Sequence, residues 1–308
     1  MKPGFLTEFK DRGYLNQCTD INNLDKILNS KTIFAYIGFD CTADSLHVGS
    51  LLQIMVLRLL QKYGHKPIVL LGGGTTLIGD PSGKDATRKI INKSDIKKNI
   101  IGIKQNFKNL LNFKNNKTKP IFVDNLSWLK DLKYLNFLRD TGKYFTINKM
   151  LSFDSVKLRL EREQSLSYME FNYMIIQAFD FLKLFEKKNC VLQIGGSDQW
   201  GNIVNGVDLI RRSYKKETFG LTTPLITLAS GTKMGKTEKG AIWLSKKKFS
   251  PYDYWQFWRN TDDNDVVRFL KFFTEIEPVK IDDLAAKEKN INNLKRILAN
   301  EATKILHG

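Results

Sequence analysis

Two patterns of apolar positions alternate along the first quarter of the chain: short continuous runs and a helical period. Residues 32–40, TIFAYIGFD, form a β-branched apolar run that predicts a buried strand, which breaks at Gly38. The next segment, LHVGSLLQIMVLRLLQKYG, has apolar residues at helical spacing and stops at Gly64, which is typical of a helix end. Residues 66–74, KPIVLLGGG, predict a second strand. A strand, a helix and a strand in this order predict a βαβ unit with a parallel sheet.

The strand-and-turn pattern returns at CVLQIGGSDQWGN, and a segment of helical period, VNGVDLIRRSY, follows it. Residues 95–190 have mostly helical periodicity, which predicts an insertion between the two halves of a nucleotide-binding fold. A polar loop, ASGTKMGKTEKG, then leads to Ser250 and Pro251, an N-cap and first-turn pair that predicts further helices. We therefore predict an α/β fold with a doubly wound, Rossmann-like parallel sheet and a helical insertion, followed by a small all-α domain.

The chain is strongly basic, with a formal net charge of +17 over 308 residues and a pI near 9.6. Such a charge fits a polyanionic partner such as RNA. An AT-rich genome would also enrich lysine, asparagine and isoleucine, so the charge alone decides little. With 42% hydrophobic and 26% charged residues, the composition is typical of a globular protein with ample material for a core.

Membrane, disulfide and metal signals are weak throughout the sequence. No apolar run approaches the roughly 20 residues of a membrane-spanning helix, and MKPGFLTEFKDRGY lacks the apolar segment of a signal peptide. We therefore expect a cytoplasmic protein that makes no membrane contact. Cys18, Cys41 and Cys190 lack CxxC spacing, and the three histidines are equally scattered. This spacing favours neither a disulfide framework nor a zinc site, so we predict no protein-bound metal and no zinc.

Two phosphate-binding signals stand out once the commonest nucleotide motifs are excluded. GDPSGKDA lacks the gap and the Lys-Ser/Thr pair of a P-loop, and GGGTTLIG lacks the third glycine of the dinucleotide fingerprint. His47-Val48-Gly49-Ser50 begins a helix after a strand, where backbone N–H groups and the helix dipole favour a phosphate. The loop Lys-Met-Gly-Lys-Thr at residues 233–237 has two ammonium groups three residues apart, which suits the charge on a departing pyrophosphate.

These segments resemble the signatures of a known family. GFDCTADSLHVGS and KMGKT are similar to the HIGH and KMSKS motifs of class I aminoacyl-tRNA synthetases. The phrases YIGFD, LIGDPSGK, SYMEFNYMIIQAFDF, LQIGGSDQWGN and SPYDYWQFWRNTDD narrow the resemblance to bacterial-type tyrosyl-tRNA synthetases, over residues 4–308. The resemblance implies an enzyme that activates L-tyrosine with ATP, in the presence of Mg²⁺, to tyrosyl-adenylate and pyrophosphate. The tyrosyl group is then transferred to the 3′ end of tRNA(Tyr).

Two alternatives stay open at this point. A tryptophanyl-tRNA synthetase shares the fold, although the pair Tyr36 and Asp180 and the phrase GSDQWGN argue against it. A non-catalytic RNA-binding relative would have kept the fold alone, and the intact HVGS and KMGKT motifs argue against that. Relatives usually continue into a small C-terminal RNA-binding domain, which the resemblance implies is missing here.

The resemblance also assigns residues to the two substrates. Tyr36 and Asp180 match the pair that hydrogen-bonds the substrate phenol. The groups around the substrate ammonium and carboxylate match Asp80, Tyr173, Gln177 and Gln199. The ATP-binding groups match Gly38, Asp40, His47, Gly49, Ser50, Gly196, Asp198, Lys233, Lys236 and Thr237. The catalytic groups, which include the cations around the pyrophosphate, match Thr42, His47, Lys84, Arg88, Lys233 and Lys236.

Three positions near the ribose depart from the family pattern. Ser50 stands where the HIGH motif has its second histidine, and Ile37 and Gln53 replace residues that are often Cys and Thr. The resemblance further implies a homodimer formed by FLRDTGKYFTINKMLSF and Tyr168. It divides the chain into a catalytic domain with the dimerisation insertion at 1–228, a KMSKS-like loop and linker at 229–249, and a helical anticodon-arm-binding domain at 250–308.

Overall fold

Six strands form the main sheet of the chain, whose computed structural model describes residues 4–80, 91–229, 231, 234–237 and 240–308. The strands lie in the order β1-β6-β5-β2-β3-β4, in which all neighbours are parallel except β1 and β6. A separate two-stranded sheet pairs β7 with β8. The strand bounds are β1 Gln17–Cys18, β2 Phe34–Asp40, β3 Lys66–Gly72, β4 Ile121–Asp124, β5 Cys190–Gly196, β6 Phe219–Thr223, β7 Lys236–Thr237 and β8 Gly240–Ala241.

Helices cover both faces of the main sheet and form the C-terminal part of the chain. Their bounds are α1 Phe5–Asp11, α2 Ile21–Ser30, α3 Leu51–Lys62, α4 Lys93–Leu110, α5 Leu126–Leu129, α6 Tyr134–Asp140, α7 Ile147–Leu151, α8 Asp154–Glu161, α9 Tyr168–Lys188, α10 Trp200–Tyr214, α11 Pro251–Arg259, α12 Val266–Phe273, α13 Pro278–Lys287 and α14 Ile291–His307. Among the described residues, no helix is long and apolar enough to cross a membrane.

Alternation along β2 explains why the sheet has a core on each face. Ile37 and Phe39 join one apolar cluster with helices α3, α4 and α12, whereas Tyr36 joins another with α9 and α10. Successive side chains of a strand point to opposite faces, so a strand buried on both faces is apolar throughout. The predicted doubly wound α/β fold with a C-terminal helical region is confirmed.

The order of strands fixes where a ligand can bind. From β2 the chain proceeds to β3 and β4 on one side, and later to β5 and β6 on the other side. Neighbouring β2 and β5 therefore flank a topological switch point, and the crevice at their carboxyl ends is the expected ligand site of an open α/β sheet. The HVGS phrase follows β2, and the GGSDQ phrase begins at the last two residues of β5.

One prediction about an individual element was wrong: strand β2 does not break at Gly38 but continues through it to Asp40. Residues 95–190 are mostly helical, as predicted, but they also contain β4, which pairs with β3 at the edge of the main sheet. A strand of four residues is too short to outweigh the helical periodicity on either side of it.

The helix-end predictions and the C-terminal helical stripe agree with the structure. The Ser250 hydroxyl accepts a hydrogen bond from the backbone N–H of Asp253, with Pro251 in the first turn of α11. Helix α9 begins with a capping box in which Ser167 and Glu170 bond each other's backbone N–H groups. In α14, the stripe buries Leu294, Leu298 and Ala302 and half-buries Ile291 and Ile305.

Arg12 and Tyr14, in the segment after α1, hold the C-terminal helices against the main domain. The buried Arg12 guanidinium donates to the carbonyl oxygens of Lys271 and Thr274 at 2.8 and 2.9 Å. The Tyr14 hydroxyl donates to the Phe272 carbonyl oxygen at 2.7 Å. These bonds satisfy carbonyl groups at the end of α12 that have no partner within the helix.

Candidate active site

A cleft of about 420 Å³ lies at the carboxyl ends of β2 and β5. The cleft is lined by residues that are far apart in sequence, from Tyr36 to Trp243. The residues that were predicted from the sequence and line this cleft are Tyr36, Gly38, Asp40, Thr42, His47, Gly49, Ser50, Asp80, Tyr173, Gln177, Asp180, Gly196, Asp198 and Gln199.

The structure does not describe the side chains of the predicted cations. Lys84, Arg88 and Lys233 lie outside the described residues. Lys236 and Thr237 form strand β7, whose side chains are not described. Their proposed places around the pyrophosphate stay predictions.

Asp180 and Tyr36 form the deep end of the cleft, and both are only 2% exposed. The Asp180 carboxylate accepts hydrogen bonds from Trp128 Nε1 and Asn125 Nδ2, both at 2.8 Å. Burial raises the pKa of Asp180 to about 7, against the lowering effect of these two donors. The Tyr36 hydroxyl has no hydrogen-bond partner among the described residues. Burial, and then the nearby Asp180, raise the pKa of Tyr36 well above its usual value, so the hydroxyl stays protonated.

Asn125 and Trp128 were missed by the sequence analysis. Asn125 directly follows β4, and its Oδ1 accepts the backbone N–H of Gly74 at 2.7 Å while its Nδ2 also donates to Thr75 Oγ1. The side chain thus joins the ends of two neighbouring strands to Asp180. The run IFVDN contained a usable signal, because a short apolar strand that ends in polar residues predicts side chains at a sheet edge.

Gln193 is a second buried polar group that the sequence analysis missed. It lies beside Tyr36 in the register of β2 and β5, lines the cleft and is 2% exposed. Its Oε1 has no hydrogen-bond partner among the described residues. An unpaired buried amide oxygen costs free energy, so a polar ligand group facing it would be stabilising.

Amide side chains connect the middle of the cleft. Gln199 Nε2 donates to Asp80 Oδ2 at 2.9 Å, and Gln177 Nε2 donates to Gln199 Oε1 at 3.3 Å. Asn202 Nδ2 donates to Gln177 Oε1 at 3.0 Å. This series of hydrogen bonds fixes the amide oxygens and the Asp80 carboxylate in the middle of the cleft. There they offer acceptors to a cationic group of a ligand. Asn202 was not predicted, although it lies in the quoted GGSDQWGN phrase.

His47 joins the two signature segments at the open end. Its Nδ1 accepts the backbone N–H of Gly49 at 3.0 Å. A Cβ on Gly49 would lie 2.6 Å from the His47 ring, and one on Gly235 would lie 2.8 Å from it, so both positions require glycine for close approach. Gly235 also has φ +121°, which L side chains rarely adopt. The imidazole is therefore packed between the HVGS and KMGKT segments.

Gly38 leaves space for a ligand near the end of β2. A Cβ on Gly38 would meet no atom within 4 Å, so the backbone there borders the open cleft.

Gln53, one of the three positions that depart from the family pattern, donates from Nε2 to Thr223 Oγ1 at 2.7 Å. Its buried Oε1 has no partner among the described residues. Ser50 and Ile37 line the cleft beside it. Within the described ranges, no three His, Cys, Asp or Glu side chains are placed to hold a metal ion.

The fold and this cleft define a class of nucleotide-binding enzyme, and comparisons with known proteins identify the family. Residues 28–308 match the family model described as tRNA synthetases class I (W and Y). The chain belongs to this family.

The relatives that the chain resembles within this family are named for tyrosine rather than tryptophan. The chain is 68% identical over 304 residues to a tyrosine–tRNA ligase of Pelagibacter ubique, covering 99% of this chain and 74% of the relative. It is 60% identical over 305 residues to a tyrosine–tRNA ligase of Zymomonas mobilis, covering 99% of this chain and 75% of that one. The solved structure of a C-terminally truncated Aspergillus nidulans mitochondrial tyrosyl-tRNA synthetase matches with a TM-score of 0.88 and 30% identity, over 100% of this chain and 91% of that one.

Proposed function

We propose that the protein is a tyrosine–tRNA ligase. It activates L-tyrosine with ATP and transfers the tyrosyl group to the 3′ end of tRNA(Tyr). The observation that carries the choice of amino acid is the unpartnered Tyr36 hydroxyl beside the Asp180 carboxylate, at the deepest point of the cleft. A substrate phenol can donate to Asp180 and accept from Tyr36, which satisfies both buried groups at once.

The same geometry disfavours the competing substrates. Phenylalanine would leave the Tyr36 hydroxyl and one acceptor of Asp180 unpaired. A site built for a substrate hydroxyl rejects the analogue without it by about 10⁴-fold or more, a range for which tyrosyl-tRNA synthetases are themselves the standard example. Tryptophan would offer a donor but no acceptor for the Tyr36 hydroxyl. The 56–68% identical relatives named as tyrosine–tRNA ligases support tyrosine over tryptophan, and catalysis over an RNA-binding role alone.

In the proposed activation step, a tyrosine carboxylate oxygen bonds to the α-phosphorus of ATP while the bond to the pyrophosphate oxygen breaks. Asp80, Tyr173 and Gln177 hold the substrate ammonium, and Gln199 holds the carboxylate end. The nucleotide lies against Gly38, Asp40, Gly49, Ser50, Gly196 and Asp198. Thr42, His47, Lys84, Arg88, Lys233, Lys236 and Thr237 stabilise the phosphate charge. No covalent enzyme intermediate is required, because orientation and electrostatic stabilisation supply the rate enhancement.

In the second step, a ribose hydroxyl of the terminal adenosine of tRNA attacks the tyrosyl carbonyl carbon, and AMP leaves. Mg²⁺ enters with the ATP phosphates, since this cation keeps several waters and is commonly bound through substrate phosphates. We place this reaction in the cytoplasm, where tRNA and ATP are available.

Tyrosine-dependent exchange of pyrophosphate into ATP tests the proposal. We expect exchange with tyrosine and none above background with tryptophan or phenylalanine at equal concentration. Charging of tRNA(Tyr) transcript by the same preparation tests the transfer step. Exchange that depends on tryptophan, or on no amino acid, would exclude the proposed substrate.

The C-terminal helices are proposed to contact the anticodon arm of tRNA. The predicted region 250–308 and the segment before it carry several cations, of which Lys246, Lys247 and Lys248 are exposed, and the sequence as a whole has a net charge of +17. Contacts of this kind to phosphates position RNA without reading its sequence. The proposed phosphate contacts are Lys246, Lys247, Lys248, Arg259, Lys271 and Lys295. Binding of tRNA is then expected to weaken steeply with salt.

A homodimer is proposed to form through the helical insertion. Tyr134, Leu135, Leu138, Ile147 and Tyr168 are each at least 50% exposed there, which is an unusual concentration of large apolar side chains. The hydroxyl groups of Tyr134 and Tyr168 lie 2.9 Å apart, so these residues belong to one surface.

Light scattering of a Leu135→Glu variant tests the dimer. We expect a dimer mass for the unchanged protein at micromolar concentration and a monomer mass for the variant. Val279→Glu, at another highly exposed apolar residue, in α13, is the matched control and should remain a dimer. A monomer mass for the unchanged protein would exclude this role for the surface.

A further inference from the structure

Asp265 connects the C-terminal helices to residues 227–229, the segment that leads into the KMGKT loop and is called the loop arm below. It is 3% exposed and immediately precedes α12. Its Oδ2 accepts the backbone N–H of Ala229 at 2.8 Å, and its Oδ1 accepts from Arg268 Nη2. Arg268 Nη2 also donates to the carbonyl oxygen of Thr227. Asp265 and Arg268, at the start of α12, thus bind the backbone of Ala229 and of Thr227, on either side of Leu228.

The side chain of Asp265 is free to bond outside its own helix. The turn Asp263–Asp265 leads directly into α12, and Asp262 caps it by accepting the backbone N–H of Asn264. Asp265 itself has helical φ and ψ and makes no side-chain cap bond to α12. Both of its oxygens are instead engaged by Ala229 and by Arg268, which also donates to the Thr227 carbonyl oxygen.

The other anchors of the loop lie on the catalytic domain. The Met234 N–H donates to the Ile226 carbonyl oxygen at 2.9 Å, which closes the base of the loop between them. Beyond the loop, Leu244 N–H donates to the Leu46 carbonyl oxygen, and Val48 N–H donates to the Ile242 carbonyl oxygen. The segment 226–244 is thus held by the HVGS segment on one side and by Asp265 on the other.

We propose that Asp265 is a positioning residue for activation of tyrosine, which holds the loop arm at Ala229 so that the following cations reach the pyrophosphate. The proposal rests on the proposed function, because it needs the lysine loop to act on ATP. Asp265 itself lies outside the cleft lining. A displaced loop arm lowers the rate of the chemical step, since orientation of charged groups controls that step. It leaves the tyrosine end of the cleft unchanged.

The test measures pyrophosphate exchange, tyrosine affinity and amide exchange in one set of variants. For Asp265→Ala we expect about a 10-fold loss of exchange rate, or about 1.4 kcal/mol of transition-state stabilisation. The tyrosine dissociation constant should change less than about 2-fold. Asp265→Asn keeps an acceptor for the Ala229 N–H and should recover part of the rate. Hydrogen–deuterium exchange should be faster at the Ala229 amide in Asp265→Ala and less changed in Asp265→Asn.

Asp263→Ala is the matched control on the same helical turn. Its exposed carboxylate forms an ion pair with Lys295 and, among the described residues, makes no hydrogen bond to the loop arm, so we expect an unchanged rate. Equal rates for Asp265→Ala and Asp263→Ala would overturn the proposal, as would a parallel loss of rate and tyrosine affinity. If Asp265→Ala does not fold, Arg268→Lys takes its place. A lower exchange rate with unchanged tyrosine affinity in that variant would support the proposal, and an unchanged rate would overturn it. An unchanged protein that shows no tyrosine-dependent exchange refutes the proposed function, whereas active protein with an unaffected Asp265→Ala variant refutes this inference alone.

Discussion

At the deep end of the cleft, Asp180 is 2% exposed and each of its oxygens accepts a side-chain N–H. At the open end, by contrast, the cleft is bordered by Gly38 and Gly196, and three of the proposed cations, Lys84, Arg88 and Lys233, lie outside the described residues. The deep end is fixed before any ligand arrives, which suits discrimination between similar side chains. The open end needs groups that act on charge formed during the reaction. The difference indicates that substrate choice and catalytic rate depend on separate sets of residues.

The largest effect is expected from Asp180→Ala. The substrate phenol and the two donors Asn125 and Trp128 would lose their common acceptor, and a lost buried acceptor costs about 2 kcal/mol or more. We therefore expect discrimination between tyrosine and phenylalanine in pyrophosphate exchange to fall by at least about 30-fold. Tyr36→Phe should lose less, because Asp180 still accepts from the phenol. Unchanged discrimination in Asp180→Ala would show that the phenol binds elsewhere.

The lysine loop should affect the rate and leave tyrosine binding unchanged. We expect Lys233→Ala and Lys236→Ala each to slow adenylate formation by more than about 10-fold, measured by rapid quench, with little change in tyrosine affinity. Lys216→Ala, at an exposed lysine beyond α10, serves as the control for loss of one charge. Equal losses of rate and of tyrosine affinity would mean that the two ends of the cleft do not work separately.

Trp128→Phe should weaken tyrosine binding by about 5-fold. The change keeps an aromatic ring but removes the Nε1–H that donates to Asp180, and a typical intramolecular hydrogen bond contributes on the order of 1 kcal/mol. Calorimetric titration measures the effect. Trp255→Phe, which removes a surface hydrogen bond to Asn300, is the matched control. A change no larger than that of the control would remove Trp128 from the recognition network.

The smallest effect is the pH dependence of tyrosine affinity. Folding raises the pKa of Asp180 to about 7, so the carboxylate takes up a proton as the pH falls through that value. The phenol donates to the ionised form, and affinity should therefore fall about 4-fold from pH 8 to pH 6.5. Asp180→Asn cannot titrate and should bind tyrosine equally weakly at both pH values. A dependence that persists in Asp180→Asn would assign it to another group.

Much of the fold was predictable because its elements are strongly patterned. The continuous apolar runs of β2, β3 and β5 and the periodicity of α3 and α9 each dominate their own segment, so a parallel sheet with a cleft at its carboxyl ends follows. β4 and β6 were not predicted, since runs of four and five residues carry little periodic signal. The residues of the cleft came from motif resemblance, and fourteen of the positions so assigned line one cavity.

The supporting polar groups could not be predicted in the same way. Asn125, Trp128 and Gln193 are recognisable only by what they contact, namely Asp180 or the cleft itself. A sequence pattern reports which face a residue occupies, whereas a hydrogen bond between residues 55 positions apart depends on the packing of three elements. Gln193 did offer one signal, because an amide in the centre of an apolar strand requires either a partner or a ligand.

Calorimetric titration of the unchanged protein with tyrosine and with phenylalanine, in the absence of ATP, tests the central claim most directly. The claim is that the deep end of the cleft selects the substrate through its hydroxyl group before any chemistry occurs. We expect tyrosine to bind and phenylalanine to bind at least about 1,000-fold more weakly, since two buried polar groups would be left unpaired. Similar affinities for the two amino acids would contradict the account.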